Sequence, residues 1–494
     1  MNFFSGKNKN LWIVALLIAI SFFSGIFITR AQQAQDGDLF SSLRLFSEVL
    51  SIVKNQYVEE IDTKKLINGS IKGMISVLND PHTHFMEQTE YKNLQVETKG
   101  SFGGLGIEID LEPITKQLIV VAPMEGTPAE RVGIKAGDKI VEIEGKSTTG
   151  ITLKDAIDKL RGPKDTAVTI TVKREGVEKP LKFTIIRDII KLKAVRSASI
   201  LKEGIGYMRL TVFNQNAGKE IEDALNQLQK KGMKSLILDL RNNPGGLLDQ
   251  AIEVSNKFIS KGVIVSTKGR TQQEVKYFAR PEGARQYFPL IILVNQGSAS
   301  ASEIVTGAVK DNKRGLIMGT KTFGKGSVQS VIQLEDGAGI AITTAKYYTP
   351  SGVCIHGTGI SPDIEVEDIP MSQDPEELEF LHILNRNNCF IAFAQKVQKT
   401  NPDTFSLNDE NMEIFSEILK SKNIDFTRQK LVKYKNSIEN MARIEIARLS
   451  SDDDALRYSL FLDPVIKKAY DVIKGAELLR SVSSNALSDT NQLR

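Results

Sequence analysis

Ser235-Leu236-Ile237-Leu238-Asp239-Leu240 is apolar except at Ser235 and Asp239, and it runs directly into Arg241-Asn242-Asn243-Pro244-Gly245-Gly246. From Leu247 to Ile259 the apolar residues then recur at helical spacing. The same order returns downstream. Pro289-Leu290-Ile291-Ile292-Leu293-Val294 leads into Asn295-Gln296-Gly297-Ser298-Ala299-Ser300-Ala301-Ser302-Glu303, and a helix follows to about Lys310. Continuous apolar strands flanked by helices predict a buried, largely parallel sheet. In open α/β sheets functional groups gather at the carboxyl ends of the strands, where both of these loops fall. A third short strand, Gly315 to Gly319, precedes Thr322-Phe323-Gly324-Lys325-Gly326, and strand character resumes at Val328 to Leu334 and Gly339 to Tyr348. Together these segments define an α/β core over residues 191–368.

Upstream, residues 97–190 read as short strands with turns. Strands are expected at Ile107 to Leu111, Leu118 to Ala122, Lys139 to Ile143, Thr166 to Arg174 and Leu181 to Arg187. Helices are expected at Pro128 to Val132 and at Leu153 to Leu160, the latter capped by Thr152. Gly103-Gly104-Leu105-Gly106-Ile107 resembles the carboxylate-binding loop of PDZ domains, and the block from Ala129 to Gly145 resembles their second half. Glycines let consecutive N–H groups turn toward one point, a nest for a peptide's terminal carboxylate, and the next strand offers an edge for pairing. Gly104, Leu105, Gly106 and Ile107 are therefore the expected tail-binding residues. Ile189 to Lys193, without Gly or Pro, reads as a short stiff connector to the core. Arg161, at the end of the PDZ helix, is either a regulatory residue pairing with a carboxylate in one domain placement or a surface arginine favoured by the helix dipole.

The remaining regions are helical. Residues 39–96 carry Leu43, Phe46, Val49, Leu50 and Val53 at helical spacing, then a helix capped by Asp62 and ended by Asn79-Asp80-Pro81. Residues 369–494 are helical and charged, without a catalytic constellation, and Asp452-Asp453-Asp454 reads there as a solvated turn. At the amino terminus, Lys7 and Lys9 precede an uncharged apolar run from Leu11 to Thr29, near the ~20 residues that span a bilayer. Residues 1–30 are thus a signal anchor or a cleaved signal peptide, with the rest exported. The 64 basic and 60 acidic residues nearly cancel, which gives nucleic acid no charged surface to bind. Two cysteines and four histidines without CxxC or HExxH spacing argue against a zinc site, and neither a metal nor a cofactor is expected.

The chemistry rests on serine and lysine. The serines of Asn295 to Glu303 lie on a strand-to-helix turn. Small residues there serve the bend alone, with Ser302 as helix cap, or one serine is a nucleophile where free N–H groups and the helix dipole favour an oxyanion. A neutral hydroxyl needs a base, and Lys325 stands between two glycines after the next strand. An exposed lysine titrates near ~10.4, so a basic role requires burial, expected from Phe323 and the crowding that the glycines permit. The alternative is a solvated turn lysine.

With Gly297 to Glu303 followed by Thr322 to Gln329, the chain resembles the carboxy-terminal processing peptidases, also called tail-specific proteases. The resemblance implies Ser300 as nucleophile, Lys325 as base and Gln329 as the residue that positions the lysine. It implies an oxyanion hole from the Ala301 amide and that of Gly246 or Gly245. Asn79 to Phe85 resembles the family's segment before the PDZ domain, and Gly357 to Asp363 the segment closing its core. The implied fold is α/β multidomain. A PDZ β-sandwich or barrel-like domain is inserted before an α/β peptidase core, between helical N- and C-terminal regions, behind an N-terminal transmembrane segment. The implied function is a serine endopeptidase that captures the C-terminal tail of an exported protein and cleaves near it. The Lys-flanked apolar run places it in the bacterial cell envelope, anchored in the inner or plasma membrane; the helical regions flanking the core suggest a homodimer, and an adaptor protein is a further expected partner. The competing class is a PDZ scaffold that only binds tails, and incubation with an unstructured peptide bearing an apolar C-terminus separates the two.

Overall fold

The structure is a computed structural model that describes residues 39–492, apart from 113, 114, 125, 175, 271, 272, 286, 287, 368–373 and 399. It divides into residues up to 85 and residues from 86 onward. In the first unit, residues 39–56 are helical and a second helix spans Thr63–Ser76, capped as expected by Asp62, whose carboxylate accepts from the Lys64 N–H at 2.8 Å. Leu43, Phe46 and Val49 of the first helix are exposed. The apolar run 11–29 lies outside the described residues. Among the described residues no helix is long and apolar enough to cross a membrane.

In the second unit the apolar strands form one six-stranded sheet in the order Val195–Ile200, Ile205–Leu210, Ser235–Asp239, Leu290–Val294, Leu316–Gly319, Ile364–Glu365. The first pairing is antiparallel and the other four are parallel. Alternation along each strand splits its side chains between two faces. Leu236, Leu238, Ile292 and Val294 meet the helices Ala217–Lys230, Leu248–Asn256 and Ala301–Asp311. Ile237, Ile291 and Leu293 face the other way, against Leu460, Val465, Ile466, Ala469 and Ile473. The C-terminal region, in which the sequence offers no motif, thus supplies the second cover: the helices Asp452–Phe461 and Pro464–Gln492. Each Leu, Ile or Val so buried contributes about 1.5–3 kcal/mol.

The acidic run is largely solvated, as expected, but it is helical rather than a loop turn. Asp452, Asp453 and Asp454 form the first turn of the Asp452–Phe461 helix, where the dipole favours acids, and they pair with Arg448, Lys231 and Arg457. The helices between Pro375 and Arg448 enclose a core of their own around Phe380, Phe390, Phe393, Phe405 and Phe415, which also buries Cys389. Cys389 and Cys354 are both free thiols.

The PDZ region is an antiparallel sheet in the order Ile107–Leu111, Leu118–Pro123, Lys139–Ile143, Ala167–Lys173, Leu181–Ile186, with the helix Leu153–Leu160 capped by Thr152. Its connection to the core differs from the single stiff segment expected. Asp188–Lys191 pairs with Ser101–Gly104, so both chain crossings are joined in one antiparallel ribbon. A further antiparallel sheet places Ser327–Gln333, Gly339–Tyr348, Val263–Gly269 and Val275–Phe278 side by side.

Ile466, 1% exposed, tests the second cover. Ile466→Ala should lower unfolding free energy by about 2–5 kcal/mol in a urea titration. An unchanged midpoint would detach the last helix from the cooperative fold.

Candidate active site

Ser300 stands where the central strand Leu290–Val294 has ended and the helix Ala301–Asp311 begins. It is the N-cap of that helix, with φ 55° and ψ −112°. A non-glycine residue in such a conformation costs about 1–3 kcal/mol and persists only where its surroundings hold it. The expectation that Ser302 caps the helix is therefore corrected. Ser302 donates instead to the Asn243 carbonyl at 2.9 Å, and Ser298 to the Leu240 carbonyl at 2.8 Å. The two neighbouring serines tie the turn to the 240–246 loop, and the Ala299 N–H adds a third bond to Asn243 at 3.0 Å.

The residue that organises the site is Glu303, quoted in the motif but given no role by the sequence. It is fully buried. Its Oε2 accepts the Ser300 N–H at 2.9 Å and the Lys325 N–H at 2.8 Å, and its Oε1 accepts the Thr322 hydroxyl at 2.6 Å and the Gly324 N–H at 2.7 Å. Two donors on one oxygen set the backbones of Ser300 and Lys325 beside each other. Burial pushes the Glu303 carboxyl up, against the opposing pull of the Thr322 hydroxyl and the three amides. The available sequence signal was the Ser-x-x-Glu spacing of a capping box, Ser300 to Glu303. Thr322 in turn accepts the Ile360 N–H at 2.7 Å, which gives the Gly357 to Asp363 segment its place against the lysine loop.

The 240–246 loop closes on Ser300. Gly245 has φ 100°, and a Cβ there would lie 2.8 Å from both the Ser300 Cβ and the Ala301 nitrogen. Gly246, at φ 144°, would drive a Cβ to 2.3 Å from the Phe213 carbonyl oxygen. Neither position admits a side chain. The two amides differ, because the Gly245 N–H donates to Asn243 Oδ1 at 2.9 Å. Among the described residues the N–H groups of Gly246 and Ala301 donate no hydrogen bond.

Lys325 is half-buried, and its surroundings are only partly those expected. Backbone does crowd it: a Cβ on Gly326 would lie 2.1 Å from the His356 nitrogen, and one on Gly324 3.1 Å from the Gly359 nitrogen. Phe323, however, is 64% exposed, so it does not bury the lysine. Its N–H is spent on the Ser298 carbonyl at 3.0 Å, which fixes the backbone and leaves the ring outside. Gln329 lies on the next strand, and its amide donates to Thr343 Oγ1 at 3.3 Å.

In the PDZ region the carbonyls of Leu105 and Gly106 are engaged inward by the N–H groups of Ala129 and Met124. Their own N–H groups donate to nothing among the described residues. Gly106, at φ 76°, lies too close to Thr127 for a side chain. The following strand, Ile107–Leu111, pairs on one side only, with Leu118–Pro123, so a sheet edge opens beside the nest. Arg161 forms no carboxylate pair among the described residues. Its guanidinium lies 4.4 Å from the Phe102 ring centroid and donates to Asn93 Oδ1 at 3.3 Å, and burial pushes its pKa down despite Asp158 and Glu97.

Glu303→Gln presents an amide to donors and forfeits acceptor bonds on one side of the carboxyl. Turnover should fall about ten- to a hundredfold with the fold retained. The raised carboxyl also fixes a sign: protonation comes early on acidification and favours the native state. Activity should therefore fall in mild acid, before unfolding, more steeply than protonation of the Lys325 amine alone requires, and Glu303→Gln should keep only the lysine's part of that fall. Coincident loss of activity and ellipticity would contradict this.

A model described as peptidase family S41 matches residues 204–366, a PDZ domain model matches 119–174, and a model of the activating protease CtpB N-terminal domain matches 26–90. The chain is 45% identical over 362 residues to a carboxy-terminal-processing protease of Bartonella bacilliformis, a match covering 72% of this chain and 82% of that one. It is 35% identical over 368 residues to the carboxy-terminal processing protease CtpA of Bacillus subtilis, covering 73% and 77%. Among solved structures, the photosystem II D1 C-terminal processing protease is 34% identical, with 67% of this chain and 95% of that chain covered and a TM-score of 0.40. The peptidase model falls on the α/β core whose loops meet at Glu303, and the PDZ model on the domain joined to it by the ribbon. Such identity over most of a relative's length shows that the chain belongs to the carboxy-terminal processing proteases of peptidase family S41, peptidases that carry a PDZ domain.

Proposed function

We propose that this protease is a serine endopeptidase of Ser/Lys type acting on the C-terminal tails of exported proteins. The carrying observation is the shared Glu303 carboxylate, which brings the Ser300 and Lys325 backbones together at the head of a helix. Ser300 Oγ attacks the scissile carbonyl while neutral Lys325 accepts its proton. The tetrahedral oxyanion is held by the amides of Ala301 and Gly246, chosen over Gly245 because the Gly245 amide already serves Asn243. Lys325 then protonates the leaving amine, and water releases the acyl group. Gln329 orders the strand that follows the lysine.

The tail's carboxylate would sit on the Leu105 and Gly106 amides, with the tail added as a strand along Ile107–Leu111. Arg161, seated on Phe102 at the root of the ribbon, is positioned to sense how the PDZ domain is placed. We further propose that the 11–29 segment anchors or exports the chain, placing the catalytic part outside the cytoplasm of a bacterial cell. The exposed apolar side chains of helix 39–56 favour a homodimer, with an adaptor protein as a further partner.

Ser300→Ala and Lys325→Ala should each abolish cleavage of an unstructured peptide with an apolar C-terminus and leave its binding intact. The double variant should be no worse than either single one. Lys325→Arg should also be inactive, because a guanidinium does not deprotonate at usable pH. Turnover of the wild type should rise with pH as the amine becomes neutral. Full activity in Ser300→Ala, with Ser298 and Ser302 intact, would sink the assignment.

Gly106→Ala tests the nest separately. It should weaken tail-peptide affinity about tenfold or more while an already bound or tail-independent substrate is still cut. Equal affinity in titration calorimetry would move tail capture elsewhere.

A further inference from the structure

The Asp463 side chain, from the junction of the last two helices, reaches the loop that carries Gly245 and Gly246. We propose that Asp463 is a positioning residue for that loop, holding the Arg241 guanidinium and through it the glycine amides beside Ser300. The inference rests on the oxyanion reading given under Proposed function.

Asp463 lies between the helices Asp452–Phe461 and Pro464–Gln492, and its two oxygens do separate work. Oδ1 caps the last helix, accepting the N–H groups of Val465 at 2.9 Å and Ile466 at 3.2 Å. Oδ2 accepts from Arg241 Nη2 at 2.6 Å. Arg241 is 4% exposed and is gripped from the other side by Asp239, with Nε donating to Oδ1 at 3.0 Å and Nη2 to Oδ2 at 2.8 Å. Asp239, wholly buried, also accepts the Arg241 N–H at 3.0 Å and the Tyr207 hydroxyl at 2.8 Å, with Arg209 at 3.8 Å.

Among the described residues, Arg209 and Arg241 share this centre with Asp239 and Asp463. Arg209 is 33% exposed and has access to water, whereas Arg241 does not. Burial works against the Arg241 charge, and the bonds to Asp239 and Asp463 outweigh it, so the guanidinium is held above its ordinary pKa. Without Asp463 the buried guanidinium loses a charged acceptor, while Arg209 remains beside Asp239. The resulting pull acts on Arg241, the first residue of the loop that continues through Asn242 at φ 56° to Gly245 and Gly246. Oxyanion donors act only within a narrow range of placement, and loss of one costs about a hundred- to a thousandfold in turnover.

The experiment separates the two oxygens in the full-length protein. Asp463→Asn and Asp463→Ser each keep an acceptor for the helix cap and remove the charge. Asp463→Glu keeps the charge and impairs the cap. For the Asn and Ser variants the expected result is kcat lowered about tenfold or more with KM within about twofold, a loss of turnover out of proportion to the fall in Tm that follows from removing one partner of a buried ion pair. Affinity for a peptide boronate, whose adduct with serine is tetrahedral, should fall in step with kcat. Asp463→Glu should show the reverse, a lower Tm with most of kcat retained. Wild-type kcat in whichever of the Asn and Ser variants folds would overturn the proposal. So would kcat that follows Tm across the whole set, since Asp463 would then be a helix cap only. An inactive wild type, or an active Ser300→Ala, would instead overturn the underlying Ser/Lys reading, so the two failures are distinguishable.

Discussion

The site depends on one buried carboxylate with four donors. Glu303 accepts from Ser300, Lys325, Gly324 and Thr322, residues drawn from the turn before one helix and the loop after the next strand. A buried acid left unpaired costs several kcal/mol, so these bonds are compulsory once the side chain is inside. The compulsion also fixes where the strained Ser300 can sit. Ser298, Ser302 and Ala299 then bind the same turn to the 240–246 loop. Three loops from the carboxyl ends of adjacent parallel strands are thereby held as one body.

That body needs a sheet that does not shift, and the sheet needs two covers. Helices from within the core lie over Leu236, Leu238, Ile292 and Val294, while the last helices of the chain lie over Ile237, Ile291 and Leu293. The C-terminal region is consequently part of the peptidase fold, although it lies beyond the stretch matched by the peptidase model. It also reaches the PDZ domain. Glu112, beside the hairpin of that domain, bonds Lys139 at 3.2 Å within the domain and Arg386 at 2.6 Å in the helical region. Besides the antiparallel ribbon, this ion pair is a second tie between the PDZ domain and the rest of the chain.

Most of the secondary structure was legible in the residues. Ile107–Leu111, Lys139–Ile143, Leu153–Leu160 and Gly339–Tyr348 have the bounds expected from their patterning. Apolar alternation, turn glycines and a Thr cap are local signals, and local signals survive in a one-dimensional reading. The misreadings involve partners distant in sequence. The connector 189–193 reads as a lone segment because nothing in it names Ser101–Gly104 as its mate. Phe323 reads as burial for the lysine because an aromatic side chain carries no record of which way its backbone is turned. The solvation of Asp452 to Asp454 was legible, but their pairing was not, because the basic partners include Lys231, more than two hundred residues away.

The sequence by itself determined the strands, their helices and the loops between them, and it marked Ser300 and Lys325 through short motifs whose spacing is covalent. Only the tertiary structure decided that Glu303 faces inward and collects both loops, that the Gly245 amide is spent on Asn243 while that of Gly246 donates to nothing among the described residues, and that the C-terminal helices close the sheet. The physical reason is the same in each case. Burial and hydrogen-bond satisfaction are properties of a place rather than of a residue type, and that place exists only after strands far apart in the chain have been packed side by side.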